Sequence, residues 1–116
     1  MTHFNPTIWT RTTKAFSVVL DWTYDDTSPA DWMDDDDAKE AMDKLNRGEW
    51  TMCLFRVRVL NSQGETIGAD YLGGSLYADP DDFARERGGY LRDMVSEAIA
   101  DARRAYSVPR GYLRAA

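Results

Sequence analysis

Hydrophobic and polar residues alternate along three stretches of the chain, and this pattern predicts three β-strands. The stretches are Phe16–Tyr24, Trp50–Leu60 and Glu65–Leu72. Period-two alternation rich in aromatic and β-branched residues is typical of strands that bury one face. The turn sequence Asn61–Gly64 separates the last two stretches, which should therefore form an antiparallel hairpin.

The alternation also assigns the two faces of this hairpin. The buried face of the second strand carries Cys53, Phe55, Val57 and Val59. The third strand carries Ile67, Ala69 and Tyr71 on one face. Arg56 and Arg58 fall on the opposite face, where we expect them to pair with Glu65 or Asp70 across the hairpin. Contact with a phosphate group is the alternative role for these two arginines.

Two helices are predicted from the 3.6-residue spacing of apolar side chains. The first begins near Asp34, where carboxylates favour the positive end of the helix dipole, and ends before Gly48. Its narrow apolar stripe consists of Ala38, Met42 and Leu45. The second runs from about Tyr90 to Tyr106, with the stripe Leu91, Met94, Val95, Ala98, Ile99 and Ala102. A short helical stretch opens at Asp79-Pro80.

These elements follow the order β-α-β-β-(short α)-α, which predicts an α+β fold. The simplest packing is a three-stranded antiparallel sheet with helices on one face. A length of 116 residues indicates a single domain spanning 1–116. Residues 1–13 are predicted to form an N-terminal arm or edge strand, and 107–116 a C-terminal tail. Gly73-Gly74 should provide a sharp exit from the hairpin.

Negative charge is concentrated in one segment of the chain. The formal net charge is −6, but the window Asp21–Asp43 holds ten acidic side chains and one basic side chain, Lys39, which gives −9. The other residues together carry +3. Direct nucleic-acid binding is disfavoured because it requires clustered Lys and Arg. A partner with a basic surface is favoured, since focused negative charge speeds such an encounter.

The acidic window also contains aromatic side chains, of which Trp32 is the best candidate for an apolar anchor within a charged rim. On the first helix, Asp36, Glu40 and Asp43 would form a row at a spacing that resembles successive phosphates. The alternative is a solvated face that only keeps the protein soluble. The predicted partner-binding residues are Asp25, Asp26, Asp31, Trp32, Asp34, Asp35, Asp36, Asp37, Glu40 and Asp43.

The sequence lacks the residues that most catalytic and metal sites require. His3 is the only histidine and Cys53, an expected inert core thiol, the only cysteine, so neither a zinc site nor a His-activated nucleophile is expected. A calcium loop starting at Asp34 would have Lys39 where glycine is needed and Leu45 where a bidentate Glu is needed. We therefore expect no catalytic residue, no metal and no cofactor.

No secretory signal or membrane span is expected. The start of the chain carries no basic residue before an apolar run, and the run Phe16–Leu20 is far too short to cross a bilayer. A single cysteine excludes an intrachain disulfide and is compatible with a reducing compartment. These features predict a cytoplasmic protein.

The stretch from Gly68 to Pro80 (GADYLGGSLYADP), followed by Tyr90–Arg103, resembles small proteins encoded by phages and other mobile elements. The resemblance covers roughly the last half of the chain and carries no catalytic motif, so it implies no active-site residue. In size, acidity and lack of catalytic parts the chain is also similar in character, though not in motif, to anti-CRISPR proteins. For a phage protein, the expected compartment is the host cytoplasm.

Three functions remain as hypotheses at this point. The first is a non-catalytic, phage-derived inhibitor whose acidic surface blocks a basic, nucleic-acid-binding site of a host protein or CRISPR-Cas complex. The second is an accessory phage protein that self-associates through the hairpin edge or the long helix. The third is an enzyme that uses carboxylates such as Asp25, Asp81 or Asp82. The oligomeric state is left open.

Overall fold

The chain forms a four-stranded antiparallel sheet whose strands lie side by side in chain order. A computed structural model describes residues 3–86 and 89–106, so the predicted tail at 107–116 lies outside the described residues. The elements are β1 (Trp9–Thr12), β2 (Ser17–Tyr24), α1 (Asp35–Asn46), β3 (Thr51–Leu60), β4 (Thr66–Tyr77) and α2 (Leu91–Tyr106). Two short 3₁₀ turns, Pro29–Asp31 and Pro80–Arg85, precede the two helices.

The prediction of an α+β fold is confirmed, but the sheet has four strands and not three. The additional strand, β1, lies within the segment predicted as an arm or edge strand, and it pairs with β2 from Trp9↔Leu20 to Thr12↔Ser17. Four residues are too few to show a convincing alternation. Neighbouring residues extend this edge, because the Asn5 N–H donates to the Trp22 carbonyl at 2.7 Å and the Ile8 N–H to the Leu20 carbonyl at 2.8 Å.

The hydrophobic core lies between one face of the sheet and α2. The predicted stripe of α2 is confirmed, with Met94, Val95, Ala98, Ile99 and Ala102 all buried. From the sheet, Leu20, Phe55, Val57 and Val59 face this helix in the same core. Phe83 of the second 3₁₀ turn stacks on Phe55 with a ring-centroid distance of 3.9 Å. In contrast, α1 buries only Ala38 and Ala41 and packs chiefly against the first 3₁₀ turn.

β4 is longer than predicted, and part of its face assignment was wrong. It continues through Gly73-Gly74 to Tyr77 instead of ending at Leu72. Val59 pairs with Gly68, so Gly68 lies on the core side while Ala69 and Tyr71 lie on the opposite face. A register irregularity between Val59 and Leu60 shifts the strand by one residue, and such a shift moves each side chain to the other face.

The face of the sheet opposite α2 carries an ion cluster. Asp21 accepts two hydrogen bonds from Arg56, Nε at 2.9 Å and Nη2 at 2.6 Å, and one from Arg58 Nη2 at 3.3 Å. The expected pairing with Glu65 or Asp70 is therefore wrong. Asp21 lies directly opposite Arg56 on β2, a neighbour that the hairpin sequence alone did not reveal.

Candidate functional site

Eight carboxylates of the acidic segment are exposed on one continuous stretch of chain. They are Asp26, Asp31, Asp34, Asp35, Asp36, Asp37, Glu40 and Asp43, and we call them the acidic ridge. The other two acidic residues of the window point elsewhere. Asp21 is only 3% exposed, within the ion cluster, and Asp25 is partly buried. Eight of the nine carboxylates predicted to bind a partner are therefore exposed, and the ridge begins at Asp26.

The start of α1 holds the densest part of the ridge, and the sequence specifies this start locally. Asp34 is the N-cap, and its Oδ1 accepts a hydrogen bond from the Asp37 N–H at 3.0 Å. Asp35, Asp36 and Asp37 form the first turn, where the helix dipole favours negative charge. The dipole offsets part of the repulsion among these aspartates, so the charge can stay on an ordered helix.

Only one cation of the described residues neutralises the ridge directly. Lys44 Nζ lies 3.6 Å from Oε1 of the exposed Glu40, one helical turn away. Within residues 3–86 and 89–106, the other ion pairs connect residues outside the ridge. Eight carboxylates against Lys39 and Lys44 leave the ridge with a net negative charge, which attracts positively charged surfaces and is screened by salt.

Trp32 stands within the ridge as a half-exposed aromatic side chain. It directly follows the first 3₁₀ turn, is 49% exposed, and donates its backbone N–H to the Pro29 carbonyl at 3.3 Å. The Ser28 hydroxyl and the Asp31 carboxylate form a capping box that fixes the preceding turn. Along the chain, Trp32 thus lies between the exposed carboxylates of Asp31 and Asp34.

A groove that the sequence did not reveal lies beside the ridge. Its volume is about 540 Å³, and it is bounded by the turn after β2, by α1 and by the start of β3. The residues that shape it include Tyr24, Asp26, Pro29, Met42, Leu45 and Trp50. Met42 and Leu45 were predicted as part of the apolar stripe of α1, but they line this groove instead of a closed core. α1 packs chiefly on the first 3₁₀ turn, and the groove lies between α1 and the start of β3.

Asp25 connects the end of β2 to the glycine pair of β4. Its Oδ1 accepts hydrogen bonds from the N–H and hydroxyl of Thr27, and its Oδ2 accepts one from the Gly74 N–H at 2.7 Å. A Cβ atom on Gly73 would lie 2.7 Å from the same Oδ2, so a larger residue there would push against the Asp25 carboxylate. Burial acts to raise the pKa of Asp25, but these three hydrogen bonds outweigh it and lower the pKa below its usual value.

Cys53 is fully buried in the core, as expected for an inert thiol. Burial, with a smaller contribution from the negative charge of Asp25, raises the pKa of this thiol to about 12. The thiolate, which is the reactive form, is therefore scarce at neutral pH. Among the described residues, no three side chains of the types that bind metals come together.

Comparison with protein-family models, with curated proteins and with solved structures found no match. Within the part of the chain that the structure covers, neither helix is both long and apolar enough to cross a membrane.

Proposed function

We propose that this protein is a non-catalytic binding protein that engages a basic surface of a partner protein through the acidic ridge. The observation that carries the proposal is the exposure of eight carboxylates along one segment, with Lys44 as their one direct counter-charge among the described residues. These carboxylates contribute little to the stability of the free chain. Opposite a positively charged surface, they raise the association rate and favour partners of complementary charge.

The finer form of the proposal names the partner as a host defence complex. In this form the chain is a phage-derived inhibitor that covers a basic, nucleic-acid-binding site, for example in a CRISPR-Cas effector. Asp36, Glu40 and Asp43 support it, because they are all exposed on α1 at spacings of four and three residues. Helix positions so spaced lie about 5–6 Å apart and form a row of negative charge that competes with a phosphate backbone.

The test is a pull-down from bacteria with an active CRISPR system, using the wild type and two triple variants. The ridge variant carries Asp35→Asn, Asp36→Asn and Asp37→Asn. The control variant removes the same number of exposed charges elsewhere, by Asp81→Asn, Asp93→Asn and Glu97→Gln. We expect the wild type and the control to capture the same effector subunit, and the ridge variant to lose it.

Salt and nucleic acid then test the mechanism on the captured complex. We expect the affinity to fall as NaCl is raised from 50 to 500 mM, and added DNA to displace the protein from the effector. Equal capture by both triple variants would contradict the role of the ridge. Salt-dependent binding that DNA does not displace would keep the basic partner but refute competition at a nucleic-acid-binding site.

Two hydrogen bonds of β4 argue against self-association through the hairpin edge. β4 is the outer strand of the sheet, and two of its N–H groups already donate within the chain. The Ala69 N–H donates to Asp101 of α2 at 3.0 Å, and the Gly74 N–H donates to Asp25. Because these donors are occupied, this edge is less suited to pairing with a second copy. Light scattering that gives a defined oligomer would favour the self-associating alternative.

A further inference from the structure

The groove beside the ridge combines an apolar lining with a carboxylate at its rim. Met42 and Leu45 line it from α1, and Pro29 lines it from the first 3₁₀ turn. Asp26 belongs to the same lining, and within the described chain no hydrogen bond or ion pair involves its side chain. Its neighbour Asp25 uses both oxygens internally. Asp26 is therefore the carboxylate of the groove that can accept hydrogen bonds from a partner.

Two large side chains of the groove remain open to solvent. Tyr24 is 69% exposed and Met42 is 37% exposed. The Tyr24 ring is supported by an edge contact with Trp22, with ring centroids 5.0 Å apart. A supported but exposed aromatic ring next to a carboxylate suits a cation, because the ring face attracts positive charge.

The chain itself shows that a cation can lie on an aromatic ring of the groove lining. Lys44 Nζ lies 4.3 Å from the centre of the Trp50 ring. Trp50 and Tyr24 both line the groove, but no cation of the described residues lies over the Tyr24 ring. The Tyr24 ring thus offers a cation the same kind of aromatic face as Trp50, and no cation of the described residues covers it.

We propose that this groove receives an arginine side chain from a basic segment of the partner protein. This inference rests on the proposed function: the acidic ridge attracts the basic segment, and the groove binds one arginine of that segment. The apolar stem of arginine would lie along Met42 and Leu45, and its planar guanidinium would stack on Tyr24 and bind Asp26. Arginine suits the site better than lysine, because it stacks on aromatic rings, binds carboxylates through two hydrogen bonds and is less strongly hydrated.

The test is an NMR titration of the full chain with the peptide acetyl-Arg-Gly-Arg-Gly-Arg-amide and its lysine counterpart at the same salt concentration. We expect the arginine peptide to bind more tightly and to shift the amide signals of Tyr24–Ser28 and of Met42–Leu45. Tyr24→Ala and Asp26→Asn should each weaken binding up to about fivefold. The matched controls Tyr71→Ala and Asp81→Asn, which change an exposed tyrosine and an exposed aspartate elsewhere, should leave it unchanged.

Three results would overturn the inference. They are equal affinity for the lysine peptide, signal shifts confined to Asp34–Asp37, and unchanged affinity in both groove variants whose spectra keep the native dispersion. The triple ridge variant separates this failure from failure of the proposed function. If that variant loses the partner while both groove variants retain it, the result supports the proposed role of the ridge and refutes the arginine site.

Discussion

At the residue scale, two adjacent aspartates with the same local sequence signal have different roles. The Asp25 carboxylate accepts hydrogen bonds from Thr27 and Gly74, and it thereby fixes the turn after β2 against β4. Asp26 is exposed, belongs to the ridge and lines the groove. Both were predicted as partner-binding residues, since the sequence carries no sign of the distant Gly74 N–H.

This difference predicts a stability effect for one aspartate and not for the other. Asp25→Asn places an amide N–H₂ or a weaker acceptor against donors that the carboxylate now satisfies, and it should lower the free energy of unfolding by about 1–2 kcal/mol. Asp26→Asn, the control, should change it by less than about 0.5 kcal/mol. Urea unfolding of the two variants measures both values, and equal effects would contradict the structural role of Asp25.

The lowered pKa of Asp25 adds a pH dependence with a definite sign. A carboxyl whose pKa is lower in the folded state binds fewer protons there, so its contribution is complete well above its unfolded pKa. It is lost as the pH falls through the lower folded pKa. The stability difference between the wild type and Asp25→Asn should therefore be constant above about pH 5 and shrink below about pH 4. A difference that grows on acidification would contradict this assignment.

At the element scale, the contact between α2 and β4 depends on one small residue. Gly68 lies on the core face of β4, and a Cβ atom there would clash with the Ala98 carbonyl and lie 2.7 Å from the Ala102 backbone nitrogen. Both atoms belong to the helix backbone, which cannot move aside without shifting α2. The sequence predicted this helix well, but it grouped Ala69 on one face with Ile67, whereas Gly68 shares the core side with Ile67.

Gly68→Ala should accordingly destabilise the protein by about 1–3 kcal/mol through overpacking, although alanine is the better strand residue. Thr66→Ala, at an exposed position of the same strand, serves as the control and should cost less than about 1 kcal/mol. Thermal unfolding followed by circular dichroism measures both. A Gly68→Ala variant as stable as the wild type would show that α2 does not pack this closely on β4.

At the scale of the whole molecule, the ion cluster connects three separate parts of the chain. Asp21 comes from β2, Arg56 and Arg58 come from β3, and the Phe4 ring of the N-terminal arm lies 3.5 Å from the Arg56 guanidinium carbon. The Thr23 hydroxyl also donates to the His3 carbonyl at 2.7 Å. The arm is thereby held across the sheet face that α2 does not cover.

Removing the central charge should loosen this whole arrangement. Asp21→Asn leaves two arginines without their carboxylate, and we expect the free energy of unfolding to fall by about 2–4 kcal/mol.

Phe4→Ala should lower the free energy of unfolding by about 1 kcal/mol, and its effect should be smaller in an Arg56→Met background, because the ring then has no cation to cover. Effects that add fully in the double variant would contradict the contact between Phe4 and Arg56.

The sequence by itself determined the features that depend on near neighbours. These are the strand and helix periods, the helix start near Asp34, the stripe of α2 and the exposed charge of Asp34–Asp37, since dipoles and periodicity act over a few residues. Only the tertiary structure decided which face of β4 packs inward, that Asp21 leaves the acidic surface to pair with Arg56, and that α1 leaves a groove open. Each of these depends on register or on partners tens of residues away, and a local pattern carries no information about either.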